Sequence, residues 1–242
     1  MATIPATASR VVAVARRHVG ETESPPGSNR TRWSKAYGLN GQPWCGIHVW
    51  GCFREAGGVD LRRIGIPNPA SCNSFVASAR KLKWPRIDPS QARPGDIVFF
   101  DFGVTGKGDP KDDADHVGIA VERAAPPLVT CVEGNTSQGA DGSQANGDGV
   151  HERRRPARLV HSIWRPPYKA TALRAELRPG SRGGLVWDVQ GLAGLQGRDG
   201  VDGIYGPATR RAVQVWQERK RLARTGKFGQ VEAAAAGWRW KP

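Results

Sequence analysis

The feature that most restricts the fold of this chain is a change of period in its middle. Ile97 to Phe100 is an unbroken apolar run that follows the turn Pro94-Gly95-Asp96, which predicts a strand buried on both faces. His116 to Glu122 alternates instead: Val117, Ile119 and Val121 point one way, His116, Gly118 and Ala120 the other. Leu128 to Val132 predicts a third strand, and shorter ones are expected at Val150 to Arg154 and Leu159 to Trp164. Upstream the spacing is helical. Ser9 to Val19 predicts a helix with Ser9 as N-cap, and Trp44 to Ala56 a second one, opened by Gly41 and Pro43 and closed by Gly57-Gly58. Helices followed by an antiparallel sheet is an α+β order.

Pro166-Pro167 ends that unit, and the texture then changes. Residues 9–168 are expected as one domain, 169–172 as a linker and 173–242 as a small helical domain. In the second domain Val186, Val189, Leu192 and Leu195 fit one helix, and Ala208, Ala212, Val215 and Trp216 another. The turns Asp202-Gly-Ile-Tyr-Gly206 and Thr225-Gly-Lys-Phe-Gly229 read as two copies of one device.

Composition narrows the classes of function. The longest apolar runs, such as Val11 to Ala15, are too short for a bilayer span, and Arg16-Arg17 follows that one directly, so neither membrane insertion nor a signal peptide is expected. With 36 Lys+Arg against 22 Asp+Glu the net charge is +14, which favours a polyanionic partner: nucleic acid, anionic lipid or an anionic cell wall. Cys45, Cys52, Cys72 and Cys131 form no CxxC pair and no paired-His pattern, so neither a zinc framework nor a disulfide scaffold is expected.

Chemistry concentrates at Cys45. At the first turn of a helix, the dipole and free backbone N–H groups favour a thiolate and an oxyanion alike. His116, on the small-residue side of its strand, is the expected base if the Cys45 helix packs against that side. Glu133 and Asn135, at i and i+2, share a strand face, and either can orient an imidazole. His48 lies on the Cys45 helix without a nearby carboxylate. His18, His151 and His161 read as surface or sheet histidines, Cys52, Cys72 and Cys131 as core thiols, and Arg153-Arg-Arg155 as a solvated edge. Asp109, Asp112, Asp113 and Asp115 read as a solvated loop rather than a hard-cation site.

Gly41-Gln-Pro-Trp-Cys45, Pro94-Gly-Asp-Ile-Val-Phe-Phe100, Asp115-His-Val-Gly-Ile-Ala-Val121 and Val132-Glu-Gly-Asn-Thr136 resemble, in order, the motifs of CHAP domains. These are cysteine peptidoglycan amidases or endopeptidases with a papain-like core. The resemblance spans Ser9 to Tyr168 and implies a catalytic set of Cys45, His116, Glu133 and Asn135 with no cofactor. Calcium-binding members use acidic residues shortly before the cysteine, and Asn29 to Trp44 has none, so no metal is expected. Leu177-Arg-Pro-Gly-Ser-Arg-Gly183, Asp202-Gly-Ile-Tyr-Gly-Pro-Ala-Thr209 and Ala212-Val-Gln-Val-Trp-Gln217 are similar to the small three-helix peptidoglycan-binding domain. Its second repeat departs from the pattern at Gly229-Gln-Val-Glu232, where Gly-Pro-x-Thr is usual.

A catalytic domain followed by a wall-binding domain resembles a phage endolysin. The implied reading is a monomeric hydrolase of bacterial peptidoglycan that waits in the host cytoplasm until the membrane is breached, with Trp44, Tyr205 and Trp216 as substrate contacts. A non-catalytic wall-binding protein and a basic nucleic-acid-binding protein are the alternatives. The former leaves Cys45 and His116 without a purpose, and the latter lacks a nucleic-acid-binding motif.

Overall fold

The computed structural model describes residues 3–103, 113–139 and 146–241. A short strand β1 (Ile4–Thr7) leads into α1 (Ala8–His18), followed by α2 (Arg32–Tyr37), α3 (Cys45–Gly57) and α4 (Cys72–Lys81). The sheet comprises β2 (Arg86–Ile87), β3 (Ile97–Phe100), β4 (His116–Ala120), β5 (Leu128–Thr136), β6 (Gly149–Pro156) and β7 (Val160–Trp164), in the order β2-β7-β3-β4-β5-β6. Every neighbouring pair in it is antiparallel. Two small strands, β8 (Tyr168–Lys169) and β9 (Ala172–Leu173), lead to a helical module of α5 (Gly184–Leu192), α6 (Gly197–Gly200), α7 (Pro207–Arg219) and α8 (Gln230–Ala236), which ends in β10 (Arg239–Trp240). This is an α+β architecture with an N-terminal core of helices on an antiparallel sheet and a smaller C-terminal helical module.

Local chemistry explains the ends of the helices. Thr7, not Ser9, caps α1: its hydroxyl accepts from the Arg10 N–H at 3.2 Å, while Ser9 Oγ lies 2.6 Å from Thr171 Oγ1. The chain reaches Thr7 extended because β1 pairs with β8, and an extended residue is what an N-cap requires. Helix α3 stops at Gly58, which takes the left-handed conformation at φ 68°. The short helices α2 and α4, absent from the sequence reading, are capped by the Thr31 and Ser71 hydroxyls.

Strand β3 is buried on both faces, as its unbroken apolar run predicts. Phe99 and Ile97 join the main core with Val117, Ile119, Val132 and the inner side of α3, while Val98 and Phe100 join a second core with Ala120 and Cys131. The alternation in β4 therefore holds, but the helix lies on the other face from the one expected. Helix α3 covers the branched side chains, and the close approach is made at Gly134 of β5 instead. A Cβ there would stand 2.6 Å from His48 Cβ and 2.7 Å from the Trp44 ring.

Residues 169–172 are not a free linker. Lys169 belongs to β8, and Ala172 pairs with Arg239, so the last strand of the chain closes on the segment that leaves the first module. The modules also dock directly, α1 against α5. Gly191 has no side chain where one would meet Ala13 Cα at 2.6 Å. Around that contact Arg10 Nε lies 2.5 Å from Asp188 Oδ1, and Arg16, 2% exposed, donates to the Gly191 carbonyl at 2.5 Å and to Glu152 at 2.9 Å. Arg17 donates to the Val201 carbonyl and lies over the Trp187 ring at 4.7 Å.

Within the second module the two expected copies share one hydrogen-bond pattern. Buried Gln190 receives the Gly203 N–H at 2.9 Å and donates to Asp202 Oδ1, the Ile204 carbonyl and Thr209 Oγ1. Buried Gln217 receives the Gly226 N–H at 2.9 Å and donates to Thr225 Oγ1, the Lys227 carbonyl and Glu232 Oε1. Glu232 thus stands in for Thr209, so the departure of the second repeat from the pattern keeps the hydrogen bond with a different acceptor. The last helix of the module, α8, forms there.

Candidate active site

Two groups of reactive side chains lie in the first module. Cys45 is the first residue of α3, with Gly46 beside it packed on the Pro69 carbonyl, where a Cβ would come within 2.0 Å. Cys72 is the first residue of α4, and its sulfur lies 3.9 Å from that of Cys45. The two helix starts therefore bring two thiols together. His116 opens β4, so thiol and imidazole meet at the ends of their elements rather than across a sheet face.

The electrostatics separate the thiols sharply. The Cys45 thiol is held well below its ordinary range, foremost by a hydrogen bond from Cys72, then by His116 and the Gly46 N–H, against the upward pull of burial. The neighbouring Cys72 is pushed up by the same contact and by burial. His116 is drawn down by burial, but the Cys45 and Glu133 contacts outweigh it and raise it to about 9. Both shifts favour the thiolate–imidazolium form of the pair over two neutral groups.

Glu133, fully buried, places Oε2 3.1 Å from His116 Nε2, an ion pair that is off the direction of an ideal ring N–H bond. Glu133 reaches this position because β5 pairs it with Gly118, where a Cβ would stand 2.7 Å from Glu133 Cγ. Burial works against the charge on Glu133, yet His116 and Arg155 keep its carboxyl below the usual range. Asn135 does not share this face. The β5–β6 register shifts between Glu133 and Thr136, Asn135 takes a left-handed φ of 60°, and its side-chain amide donates to Asn146 Oδ1 at 3.3 Å. Period-two alternation fails at such an irregularity.

Several sequence expectations change here. Arg155 is not part of a solvated edge: it is 5% exposed and donates to both Glu133 oxygens and to Thr136 Oγ1. Trp44 is fully buried, stacked on Trp33 at 5.6 Å, and its indole N–H donates to Glu23 at 2.8 Å, so it packs the core instead of facing a substrate. Tyr205 is 1% exposed with its hydroxyl on the Gly226 carbonyl, and Trp216 packs on Phe228 at 5.5 Å. Both fill the second module's core, leaving only the edge of Trp216 on the crevice between modules. That crevice, about 530 Å³, is lined by Ala8 and Ser9 at the N-terminus of α1, and neither Cys45 nor His116 lines it. Asp113 accepts from Asn73 and Asp115 from the Phe102 N–H, while Asp109 and Asp112 lie outside the described residues.

The second group is His18, His48 and Cys52, all fully buried. It joins a thiol to two imidazoles, the group types of a thiol-dependent centre. Burial pushes the Cys52 thiol well up and His48 well down, which favours the neutral form of each, the reverse of the shifts at Cys45 and His116. His18 is not a surface residue, and a signal for this was present: it continues the buried Val11 and Ala15 stripe of α1. Cys72 had a comparable signal in Ser71, a good N-cap that makes Cys72 the start of a helix. Arg155 had none.

Among proteins of known structure, the chain is similar to a wild-type endolysin, LysIME-EF1, at 17% identity and a TM-score of 0.41. The match covers 68% of this chain and 66% of that one, so it spans just under two thirds of that protein's length. No curated protein matches the sequence. Residues 190–235 match the family described as "Putative peptidoglycan binding domain", a stretch that starts at Gln190 and takes in both glutamine-centred turns of the C-terminal module.

Proposed function

We propose that this protein is a peptidoglycan hydrolase of the endolysin type, which cleaves an amide bond of the bacterial wall with Cys45 as nucleophile. The observation that supports it most is the pairing of a low-pKa thiol at a helix start with a raised imidazole backed by a buried carboxylate, in a chain whose other module matches a peptidoglycan-binding family.

The chemistry follows from the geometry. The Cys45 thiolate attacks the carbonyl carbon, and charge develops on the carbonyl oxygen beside the free N–H groups of the first turn of α3. His116, protonated at rest, gives its proton to the departing amine as the C–N bond breaks, leaving a thioester on Cys45. It then takes a proton from water, whose oxygen attacks the thioester and releases the acid and the thiolate. Glu133 is the orienting residue in this scheme, held in place by Arg155. Asn135 has a neighbouring, structural place. The basic surface and the second module keep the enzyme on an anionic wall.

The test is full-length protein on purified cell walls. Loss of turbidity, abolished by Cys45→Ala in a chain that still folds, is expected. Mass spectrometry of the digest then reads which amide opened: a free lactoyl carboxylate marks an amidase, and a new stem or cross-bridge amine an endopeptidase. Retention of DNA without any wall cleavage would overturn the proposal in favour of a nucleic-acid-binding protein.

A further inference from the structure

We propose that His18, His48 and Cys52 form a zinc site that fastens the end of α1 to the middle of α3. The proposal is independent of the hydrolase reading and rests on the geometry of three convergent atoms. His18 Nδ1 lies 3.2 Å from His48 Nε2, and Cys52 Sγ lies 3.6 Å from each of them. Zinc takes nitrogen at about 2.0–2.1 Å and sulfur at about 2.3 Å, so the edges of a tetrahedron around it are about 3.3 Å for N–N and about 3.6 Å for N–S. The triangle already has the dimensions of three corners of that tetrahedron.

Proton counting points the same way. The Nε2 of His18 lies 2.9 Å from Glu55 Oε2, and a carboxylate there fixes the proton on Nε2, leaving Nδ1 with its lone pair turned into the cluster. In that neutral tautomer the three contacts share at most two protons, one from His48 Nε2 and one from the Cys52 thiol. At least one edge of the triangle has no proton of its own, whereas a cation satisfies all three atoms at once. The carboxylate behind His18 is also what a zinc-bound histidine ordinarily has, and Arg32 holds that carboxylate in turn, with Nη1 2.5 Å from Glu55 Oε1. A thiolate with two imidazoles selects a borderline-soft ion over calcium or magnesium. Three protein ligands leave the fourth position of the tetrahedron to a ligand from outside the chain.

The placement gives the ion a role. His48 and Cys52 are i and i+4 on α3, so they share one face of the helix whose first residue is Cys45. His18 is the last residue of α1, the helix on which the second module docks. Trp33 covers the cluster, its ring 4.9 Å from that of His18 and 5.1 Å from that of His48. A metal here holds together the support of the thiol and of the second module without touching the Cys45 site.

The experiment is metal binding by the full chain. Protein stripped with a chelator and returned to one equivalent of Zn²⁺ should retain one ion per chain through desalting, release a proton on binding, and melt at a higher temperature than the stripped form. Co²⁺ in its place should give the intense visible bands of a tetrahedral ion together with a thiolate charge-transfer band. Cys52→Ala and His48→Ala should lose these signals, and Cys45→Ala and Cys72→Ala should keep them. Where a ligand variant fails to fold, the wild-type cobalt spectrum and proton release decide alone. No retained ion with a melting temperature indifferent to Zn²⁺, a six-coordinate cobalt spectrum, or signals that survive Cys52→Ala and vanish in Cys45→Ala would each overturn the site.

Discussion

Arg155 grips both carboxylate oxygens of Glu133, with Nε 2.9 Å from Oε1 and Nη2 2.6 Å from Oε2, in a place where neither side chain is more than 6% exposed. The carboxylate that faces His116 is thereby fixed from behind, and its negative charge is shared by two partners. Removing the guanidinium leaves a buried carboxylate with His116 alone. Arg155→Leu should therefore cost about 3 kcal/mol of stability, the usual consequence of breaking a buried pair from one side. It should also reduce kcat more than KM, because the proposed role of Glu133 is to position the base and not to bind substrate. Chemical denaturation and wall turbidity measure the two effects. A variant with wild-type stability and wild-type turnover would remove Arg155 from the site.

The thiols should differ in their response to pH. Cys45 is lowered, so its thiolate persists well below the ordinary thiol range, whereas Cys52 and Cys131 are raised and stay protonated. At pH 6, iodoacetamide should label Cys45 in the folded chain and spare the other two, as peptide mass spectrometry would show. Turnover depends on the other member of the pair. As pH rises through about 9 His116 loses its proton, and with it the acid that protonates the leaving amine, so hydrolysis should fall on the alkaline side even though the thiolate remains. Cys72→Ala removes the largest cause of the lowered Cys45 pKa and should shift the alkylation profile to higher pH. An unchanged profile in that variant would mean that Cys72 is only packing.

How far the site can be read in the sequence depends on where each residue sits in its element. Cys45 and His116 stand at element starts, which turn signals mark, and both placements were legible. The choice between Glu133 and Asn135 was not, because it turns on a register shift and a left-handed residue inside one strand. Arg155 lay in a charged run that reads as solvated, and only the pairing of β5 with β6 brings it over Glu133. Strands β3 to β7 were legible from their apolar patterns, whereas β2 and the short helices α2 and α4 were not. The docking of the modules depends on the shape match of Gly191 and Ala13, residues 178 apart, which no local pattern encodes.

The paired glutamines of the second module make a matched prediction. Gln217 is fully buried and its amide serves four partners, among them the Gly226 N–H and Glu232. Gln217→Leu keeps the volume but orphans these groups, and should lower stability by about 2 kcal/mol. Gln190→Leu should do the same through the Gly203 N–H and Thr209. Glu232→Thr, which restores in the second copy the acceptor used by the first, should be milder than either. Urea denaturation followed by tryptophan fluorescence would rank the three. A Gln217→Leu variant as stable as the parent would show that the turn holds its shape without the glutamine.

The contact between modules can be tested by one side chain. Gly191 lies in α5 where any Cβ would meet the Ala13 backbone at 2.6 Å, and backbone cannot swing aside as a long side chain can. Within the helix itself a larger residue is favoured, since leucine exceeds glycine in helix propensity by almost 1 kcal/mol. Gly191→Leu should therefore leave each module folded while lifting α5 from α1 and parting Arg16 from the Gly191 carbonyl. The radius of gyration should rise, while sedimentation with purified walls, proposed for the second module, should stay near the parent's. The tether still holds the modules at a high mutual concentration, so lysis should slow rather than stop. At dilute enzyme the loss should be greatest if docking aims the Cys45 face at the wall to which the second module is bound. An unchanged radius of gyration would show that the interface absorbs the side chain. A larger radius with full lytic rate at every dilution would show that the two modules need only the chain between them.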